Sequence, residues 1–389
     1  MINQVVIFAG GKGTRLGINN AKCLVEIAGE PIINYIIREY QNQNVNKFHF
    51  CLGFYADEVI KHLNTLNIDF THSIDPSVSC GTWLALKNAE PFLDDCFFVT
   101  YGDSVAFCDL EFMYWHFLES GQKSMMSVSN YCSSKSNFCI DMTGLEYSDP
   151  RYRSTNLILP ETCSSKGAYN FVEHGVSIFT KPLLTNPFNH EEKVFNFSDY
   201  FKWQTIGDQP HYANANYYQI NTSEDVIAAD AIFTKFKTQS PYNFLDRDGT
   251  INKWDPQIYD HMCFAPVNEL LEQLNDHDCV IVTNQPEKAK TTATFSDINR
   301  MTWEARQHLI DHGKNVIFSM SCIHRACPKI GDAFDELRFA CKCRKPETGM
   351  LEKAAKRISI CKSSTFYGDN DCDEECAKSF GLQFIKMYN

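Results

Sequence analysis

A short apolar run, Gln4–Ala9 (QVVIFA), passes without a spacer into a glycine-rich loop, Gly10-Gly11-Lys12-Gly13-Thr14-Arg15-Leu16-Gly17. A β-branched stretch of this length, ended by glycine, reads as a buried strand. A strand buried on both faces needs helices over it. Pro31–Tyr40 (PIINYIIREY) supplies one, with apolar residues at helical spacing behind a proline suited to a first turn. Lys47–Gly53 and Cys96–Tyr101 (CFFVTY) read as further strands, Ala56–Leu63 and Thr82–Ala89 as further helices. Repeated βα units predict a parallel sheet with helices on its faces. Ligands of such sheets bind beyond the carboxyl ends of the strands.

The pattern restarts later. Residues 124–219 are less regular, with strand-like pieces at 124–130 (SMMSVSN), 145–149 (LEYSD) and 175–180 (GVSIFT). Around Phe233–Asn243 the texture turns polar and contains a proline; then come a strand end at Phe244–Leu245, a helix at Val267–Asn275 and a strand at Cys279–Thr283. A chain of 389 residues exceeds one ordinary core. The expected fold is therefore α/β, with two Rossmann-like domains divided near residue 238. Residues 1–238 form a mixed or parallel sheet and residues 239–389 a parallel one. No internal repeat is visible.

Composition excludes several classes. At 44% hydrophobic residues the chain is globular rather than disordered. A net charge of −12 argues against a nucleic-acid partner, though a local loop can still bind phosphate. No apolar run reaches the roughly 18 residues of a membrane span. The first residues lack a basic n-region, so a cytoplasmic location is expected. Seventeen cysteines, an odd count in a long chain, read as free thiols of a reducing compartment rather than a disulfide framework. The oligomeric state stays open, a homo-oligomer included.

In the first loop, Gly10, Gly11 and Gly13 let backbone N–H groups approach phosphate oxygens, and Lys12 and Arg15 add charge. No Gly-Lys-Ser/Thr closes a Walker pattern, and Leu16 stands where a dinucleotide fingerprint needs its third glycine. By itself the loop is also readable as a plain turn. Downstream, Lys22 lies in an Ala-Lys-Cys-Leu stretch, and Gly81-Thr82 opens a predicted helix whose N-terminus favours anions. Asp103 follows the strand Cys96–Tyr101, where a carboxylate can hold Mg²⁺ against phosphates, or serve as a turn residue.

Together these segments resemble the sugar-phosphate nucleotidyltransferases, over about residues 1–230. The family pattern L-A-G-G-x-G-T-R-L, P-K-x-L, G-T-x-x-A-L and G-D stands here as Phe8–Leu16, Ala21–Leu24, Gly81–Leu86 and Gly102-Asp103. The resemblance implies that Gly10, Gly11, Lys12, Gly13, Thr14, Gly81 and Thr82 bind a nucleoside triphosphate. Arg15 and Lys22 would stabilise phosphate charge and Asp103 would hold Mg²⁺. A sugar phosphate would attack the α-phosphorus and expel pyrophosphate, with the protein supplying positioning and electrostatics. Glu173 matches a sugar-facing stretch, with a surface glutamate as the other reading. Two departures stand out. Ala21 replaces a proline, and Gln219 occupies a metal-ligand position where an acid is usual. An amide oxygen ligates a hard cation without contributing charge, so Gln219 implies either a weaker metal site or a transferase half without turnover.

The second half carries Leu245-Asp246-Arg247-Asp248-Gly249-Thr250 after a strand. Two carboxylates two residues apart can converge on one phosphate, one attacking phosphorus and the other handling the leaving-group proton. Val282-Thr283-Asn284-Gln285, Cys343-Arg344-Lys345-Pro346 and Tyr367-Gly368-Asp369-Asn370-Asp371-Cys372-Asp373 follow in order. Over residues 241–389 this set resembles the haloacid dehalogenase-like phosphatases. That resemblance implies Asp246 as nucleophile, Asp248 as general acid/base, Thr283 and Lys345 on the phosphoryl group, Asn284 on the substrate, and Asp246, Asp248, Asp369 and Asp373 around Mg²⁺.

Cys322 and His324, then Cys341 and Cys343, form two close pairs suited to a tetrahedral structural Zn²⁺ site, with accidental clustering of a common residue as the alternative. C-x-H followed by C-x-C-R-K-P is similar to one branch of that superfamily, the D-glycero-D-manno-heptose 1,7-bisphosphate and histidinol-phosphate phosphatases. There Arg344 would contact substrate. Pro286-Glu287-Lys288-Ala289 departs from the branch's glycine-containing stretch. The two resemblances together imply a bifunctional enzyme. Its phosphatase half would remove the C7 phosphate of a heptose 1,7-bisphosphate, and its other half would transfer a nucleotidyl group, by pathway logic from GTP, to the heptose 1-phosphate. A non-catalytic nucleotide-sugar-binding first domain, or another sugar 1-phosphate with UTP or CTP, are the rival expectations.

Overall fold

A computed structural model describes residues 1–75, 81–129, 139–141, 156–158, 170–185, 211–212, 216–254, 264–286 and 293–387. The chain divides into two compact units: Met1–Phe107 with Ser120–Thr234, and Cys108–Glu119 with Lys235–Asn389.

In the first unit the strands Asp69–Ile74, Lys47–Leu52, Gln4–Phe8 and Cys96–Tyr101 lie side by side and parallel in that order. Asn170–Thr180 then pairs antiparallel with Cys96–Tyr101, so the sheet is mixed. Gln4–Phe8 has a neighbour on each edge, and Val5, Val6 and Ile7 are fully buried, which explains an unbroken rather than alternating apolar run. Phe97 and Phe98 are also fully buried, and each such side chain contributes roughly 1.5–3 kcal/mol. Helices Ile32–Gln41, Ala56–Leu63 and Thr82–Ala89 form where helical periodicity predicts them. The strand-like piece at 145–149 lies outside the described residues.

Register decides where the loops meet. Phe8 is paired with Tyr101, so Gly10 and Asp103 leave neighbouring strands at one edge of the sheet. Gly10 accepts a hydrogen bond from Phe54 N, and a Cβ on Gly10 would stand 2.9 Å from Gly53 N. Only glycine lets the two chains cross there.

The second unit holds five parallel strands in the order Val316–Cys322, Cys279–Asn284, Asn243–Leu245, Thr365–Gly368 and Gln383–Lys386. Leu245 pairs with Ile281 on one side and Tyr367 on the other, and these sit in a core with Leu270, Ala305 and Leu309. The helix expected at Val267–Asn275 is confined to Glu269–Gln273, because Leu274 turns to extended backbone. The helix Leu110–Ser120, early in the chain, lies almost entirely within this unit's residues.

Candidate active sites

The first unit has a cavity of about 430 Å³ lined by the loop Gly10–Thr14, by Lys22, by Gly81 and Thr82, and by Asp103. Each comes from a different strand end or helix start, and pairing of the parent strands brings them together. Gly13 has φ +67°, which opens the short 3₁₀ turn Thr14–Leu16. Gly81, at φ 84°, precedes the helix Thr82–Ala89, so its first N–H groups border the cavity. Lys12 Nζ lies over the Phe54 ring, 5.3 Å from its centroid. Arg15 is exposed on the turn and is not among the residues lining the cavity.

Lys22 Nζ donates to Asp103 Oδ2 and, at 2.8 Å, to Asn221 Oδ1. Ser104 Oγ donates to Asp103 Oδ1 at 2.7 Å, and Tyr217 OH donates to Ser104 Oγ at 2.7 Å. Gln219 is opposite Ser104 in the ladder between Asn216–Gln219 and Ser104–Phe107, and is half-buried. The contact to Lys22 comes from Asn221, two residues further on. Sequence reasoning missed this residue, since an asparagine just past a strand reads as a turn. Glu173 lies on the strand Asn170–Thr180, but its side chain is outside the described set.

In the second unit Asp246 and Asp369 follow paired strands. Lys345 Nζ is 2.7 Å from Asp246 Oδ1, 2.7 Å from Asp373 Oδ1 and 2.9 Å from Val282 O, to which it donates. Burial alone would discharge Lys345, but Asp246 and Asp373 outweigh it and hold the ammonium above its ordinary value. Burial raises Asp246, and Lys345 pulls the other way. Carboxylate oxygens of Asp246, Asp369 and Asp373 lie within 4.8 Å of one another. Three carboxylates around one ammonium leave excess negative charge, a donor set that suits a divalent cation. The backbone is shaped for it: Gly249 has φ +84°, and a Cβ there would meet Asp369 Oδ2 at 2.1 Å.

Asp248 has a different environment. Arg247, fully buried, forks onto it with Nε at 2.9 Å from Oδ1 and Nη2 at 2.8 Å from Oδ2. Gln285 Nε2 donates to the same Oδ2 at 2.7 Å and to Thr283 Oγ1 at 2.9 Å. Burial raises the Asp248 carboxyl, but Arg247 first, then the side-chain amides of Gln285 and Asn252, outweigh it and hold it below the usual range. The two carboxyls of the motif are thus pushed in opposite directions. Asn284 uses both ends of its amide on the Lys345 backbone, accepting from Lys345 N at 3.0 Å and donating to Lys345 O at 3.1 Å. It positions the lysine. Arg344 Nη1 donates to His324 O at 3.3 Å.

Cys322, His324, Cys341 and Cys343 offer four ligand atoms within 4.8 Å of one another. Sγ separations are 3.5 Å for Cys322–Cys341, 3.3 Å for Cys322–Cys343 and 3.2 Å for Cys341–Cys343, with His324 Nδ1 3.2 Å from Cys343 Sγ. Zn–S bonds of about 2.3 Å in a tetrahedron put sulfurs close to this spacing, so the residues fit such an ion.

Residues 5–115 match the family model described as a MobA-like NTP transferase domain. A D-glycero-alpha-D-manno-heptose-1,7-bisphosphate 7-phosphatase of Photorhabdus laumondii is 32% identical, over 36% of this chain and 77% of that protein. A glucose-1-phosphate cytidylyltransferase of Salmonella typhimurium is 29% identical, over 28% of this chain and 53% of that protein, so about half of that relative is spanned. A solved Bacillus anthracis structure, assigned as a glucose-1-phosphate thymidylyltransferase, shares the fold with a TM-score of 0.52 at 14% identity, over 61% of this chain and 97% of that one. The chain belongs to the D-glycero-manno-heptose-1,7-bisphosphate 7-phosphatase family, with a nucleotidyltransferase domain fused to the phosphatase on one polypeptide.

Proposed function

We propose that the protein carries out two consecutive steps of sugar-nucleotide synthesis on a heptose. The second unit removes the C7 phosphate of D-glycero-D-manno-heptose 1,7-bisphosphate. The first transfers a nucleotidyl group, from GTP by pathway logic, to the heptose 1-phosphate and releases pyrophosphate. The observation that carries the phosphatase half is Lys345, its side chain 1% exposed, bridging Asp246 and Asp373 and donating to Val282 O. Asp246 attacks the C7 phosphorus, forming an aspartyl-phosphate and breaking the bond to the sugar oxygen. Asp248 gives that oxygen its proton, then takes one from the water that hydrolyses the intermediate. Arg247 and Gln285 favour the ionised form of Asp248, so in this scheme Asp248 takes up one proton from solvent before giving it to the leaving oxygen, and regains one from the hydrolytic water. Thr283 and Lys345 hold the phosphoryl oxygens, and Arg344 meets the substrate's second phosphate. Asp246, Asp369 and Asp373, together with Asp248, would hold Mg²⁺, which would supply positive charge that favours an ionised Asp246 and offsets phosphate charge. Zn²⁺ at Cys322, His324, Cys341 and Cys343 has a structural role.

In the first unit, the glycine loop and the Thr82 helix start bind the triphosphate, with Lys12 and Lys22 on its oxygens; Arg15, on the exposed turn outside the cavity lining, would have to swing in to join them. Asp103, with Gln219 as a neutral neighbour, would hold a second Mg²⁺; one carboxylate completed by nucleotide phosphates suits that ion. Glu173 takes a sugar hydroxyl. A cytoplasmic setting accords with the described cysteines being free thiols.

The test supplies heptose 1,7-bisphosphate, Mg²⁺ and a panel of GTP, UTP and CTP to the full chain, reading phosphate and pyrophosphate separately. Asp246→Asn should abolish phosphate release and spare pyrophosphate release from supplied heptose 1-phosphate; Asp103→Asn should do the reverse. Phosphate without pyrophosphate under every nucleotide would reduce the first unit to a binding domain, the outcome that Gln219 makes the main rival. No phosphate from the bisphosphate would remove the phosphatase assignment.

A further inference from the structure

Helix Leu110–Ser120 lies between two segments of the nucleotidyltransferase unit in sequence, yet its side chains meet phosphatase residues. Asp109, just before it, accepts a hydrogen bond from Ser321 N at 3.1 Å through Oδ2, one residue before Cys322. At the other end Glu119 Oε2 accepts from Phe295 N at 2.6 Å, at the start of helix Phe295–Asp311. Between them the Phe112 ring meets Phe295 edge-on at 5.2 Å and Trp115 lies 6.1 Å from Phe334. The helix is therefore anchored at both ends and along one face.

It presents Glu111 to the cysteine–histidine cluster. Glu111 Oε1 is 3.1 Å from His324 Nε2. The opposite ring nitrogen, Nδ1, faces the thiols, 3.2 Å from Cys343 Sγ and 3.9 Å from Cys322 Sγ. A carboxylate on one nitrogen fixes the proton there and leaves the other nitrogen's lone pair for a metal. His324 is 4% exposed, so bulk water is a poor substitute for that partner.

We propose that Glu111 is a positioning residue for His324 as a zinc ligand, and that the segment Cys108–Glu119 is a working part of the phosphatase's metal centre. This rests on the zinc assignment made above. It also means that a metal site whose four ligands lie between residues 322 and 343 takes its orienting carboxylate from some 200 residues upstream.

The test uses the full chain as wild type, Glu111→Gln, Glu111→Ala and Cys341→Ser. Zinc content is measured by mass spectrometry and zinc affinity by competition with a chromophoric chelator. Loss of the carboxylate should weaken zinc binding by about ten- to a hundredfold in Glu111→Ala. Glu111→Gln, whose amide oxygen still accepts from Nε2–H, should recover part of it. The Co²⁺-substituted Ala variant should show shifted visible bands. Thermal unfolding of the chelated proteins should be the same for wild type and Glu111→Ala, which separates positioning from general support of the fold. Wild-type affinity and an unshifted Co²⁺ spectrum in Glu111→Ala would overturn the proposal while leaving the zinc site standing. Zinc absent from wild type, or unchanged in Cys341→Ser, would remove the zinc site and the proposal with it.

Discussion

At the scale of single residues, the proposed phosphatase chemistry turns on opposed environments for two nearby carboxyls. Asp246 shares Lys345 with Asp373. Asp248 has Arg247 and Gln285 instead. The spacing of the aspartates was legible in the sequence, because carboxylates two apart at a strand tip have few other uses. The role of Arg247 between them was not, since nothing local says that a guanidinium will be buried. Gly249 is the residue that permits the closure. With φ +84° and Asp369 Oδ2 2.1 Å from where a Cβ would stand, alanine must either push the acid away or distort the turn. Gly249→Ala should therefore lower phosphate release by at least about tenfold, a change of roughly 1.4 kcal/mol in the barrier. Pyrophosphate release from supplied heptose 1-phosphate should be unchanged. Equal loss of both activities would show that the substitution acts by unfolding the chain.

At the scale of elements, the strand pair Lys47–Leu52 and Asp69–Ile74 carries a buried histidine that no proposed step uses. His49 is fully buried, stacked on Phe92 with ring centroids 5.1 Å apart, and bonded through Nδ1 to Thr71 Oγ1 at 2.8 Å and Nε2 to Ser73 Oγ at 3.1 Å. The strands are in parallel register, His49 opposite Thr71, which sets both hydroxyls against one ring. Burial, with added repulsion from His72, pushes His49 down to about 4 from an ordinary 6.5. The folded state thus keeps the ring neutral while the unfolded chain takes a proton near 6.5. Stability from this site is complete above that value and falls as pH drops from 6.5 towards 4. The loss approaches about 3 kcal/mol at the low end. Urea unfolding of the first unit between pH 7 and 4.5 should show this slope, and His49→Gln should flatten it. Identical slopes in both proteins would exclude His49 as the source.

At the scale of the whole molecule, the architecture was more legible than its boundaries. Parallel sheets announce themselves by apolar runs such as Gln4–Ala9 and Cys279–Thr283, and loops at strand ends carry the chemistry. What no local pattern reveals is a pairing across some 200 residues, such as Asp109 with Ser321 or Glu111 with His324. A break drawn near residue 238 leaves those partners on different sides, whereas contacts group residues 108–119 with 235–389. The consequence is measurable. A fragment of residues 239–389 loses the packing of Phe112 and Trp115, which are 3% and 5% exposed in the full chain. At roughly 1.5–3 kcal/mol for each large apolar side chain, this amounts to about 3–6 kcal/mol, against a typical domain stability of about 5–15 kcal/mol. It also leaves Ser321 N and Phe295 N without the carboxylates that accept from them. The fragment should therefore aggregate or melt well below the phosphatase transition of the full chain. Asp109→Ala in the full chain should reproduce a smaller part of that loss, about 1–3 kcal/mol, with Asp109→Asn milder because its amide oxygen still accepts from Ser321 N. A fragment 239–389 as stable as the intact phosphatase unit would show that residues 108–119 are passengers on it, and would restore a single cut near residue 238 as the working domain boundary.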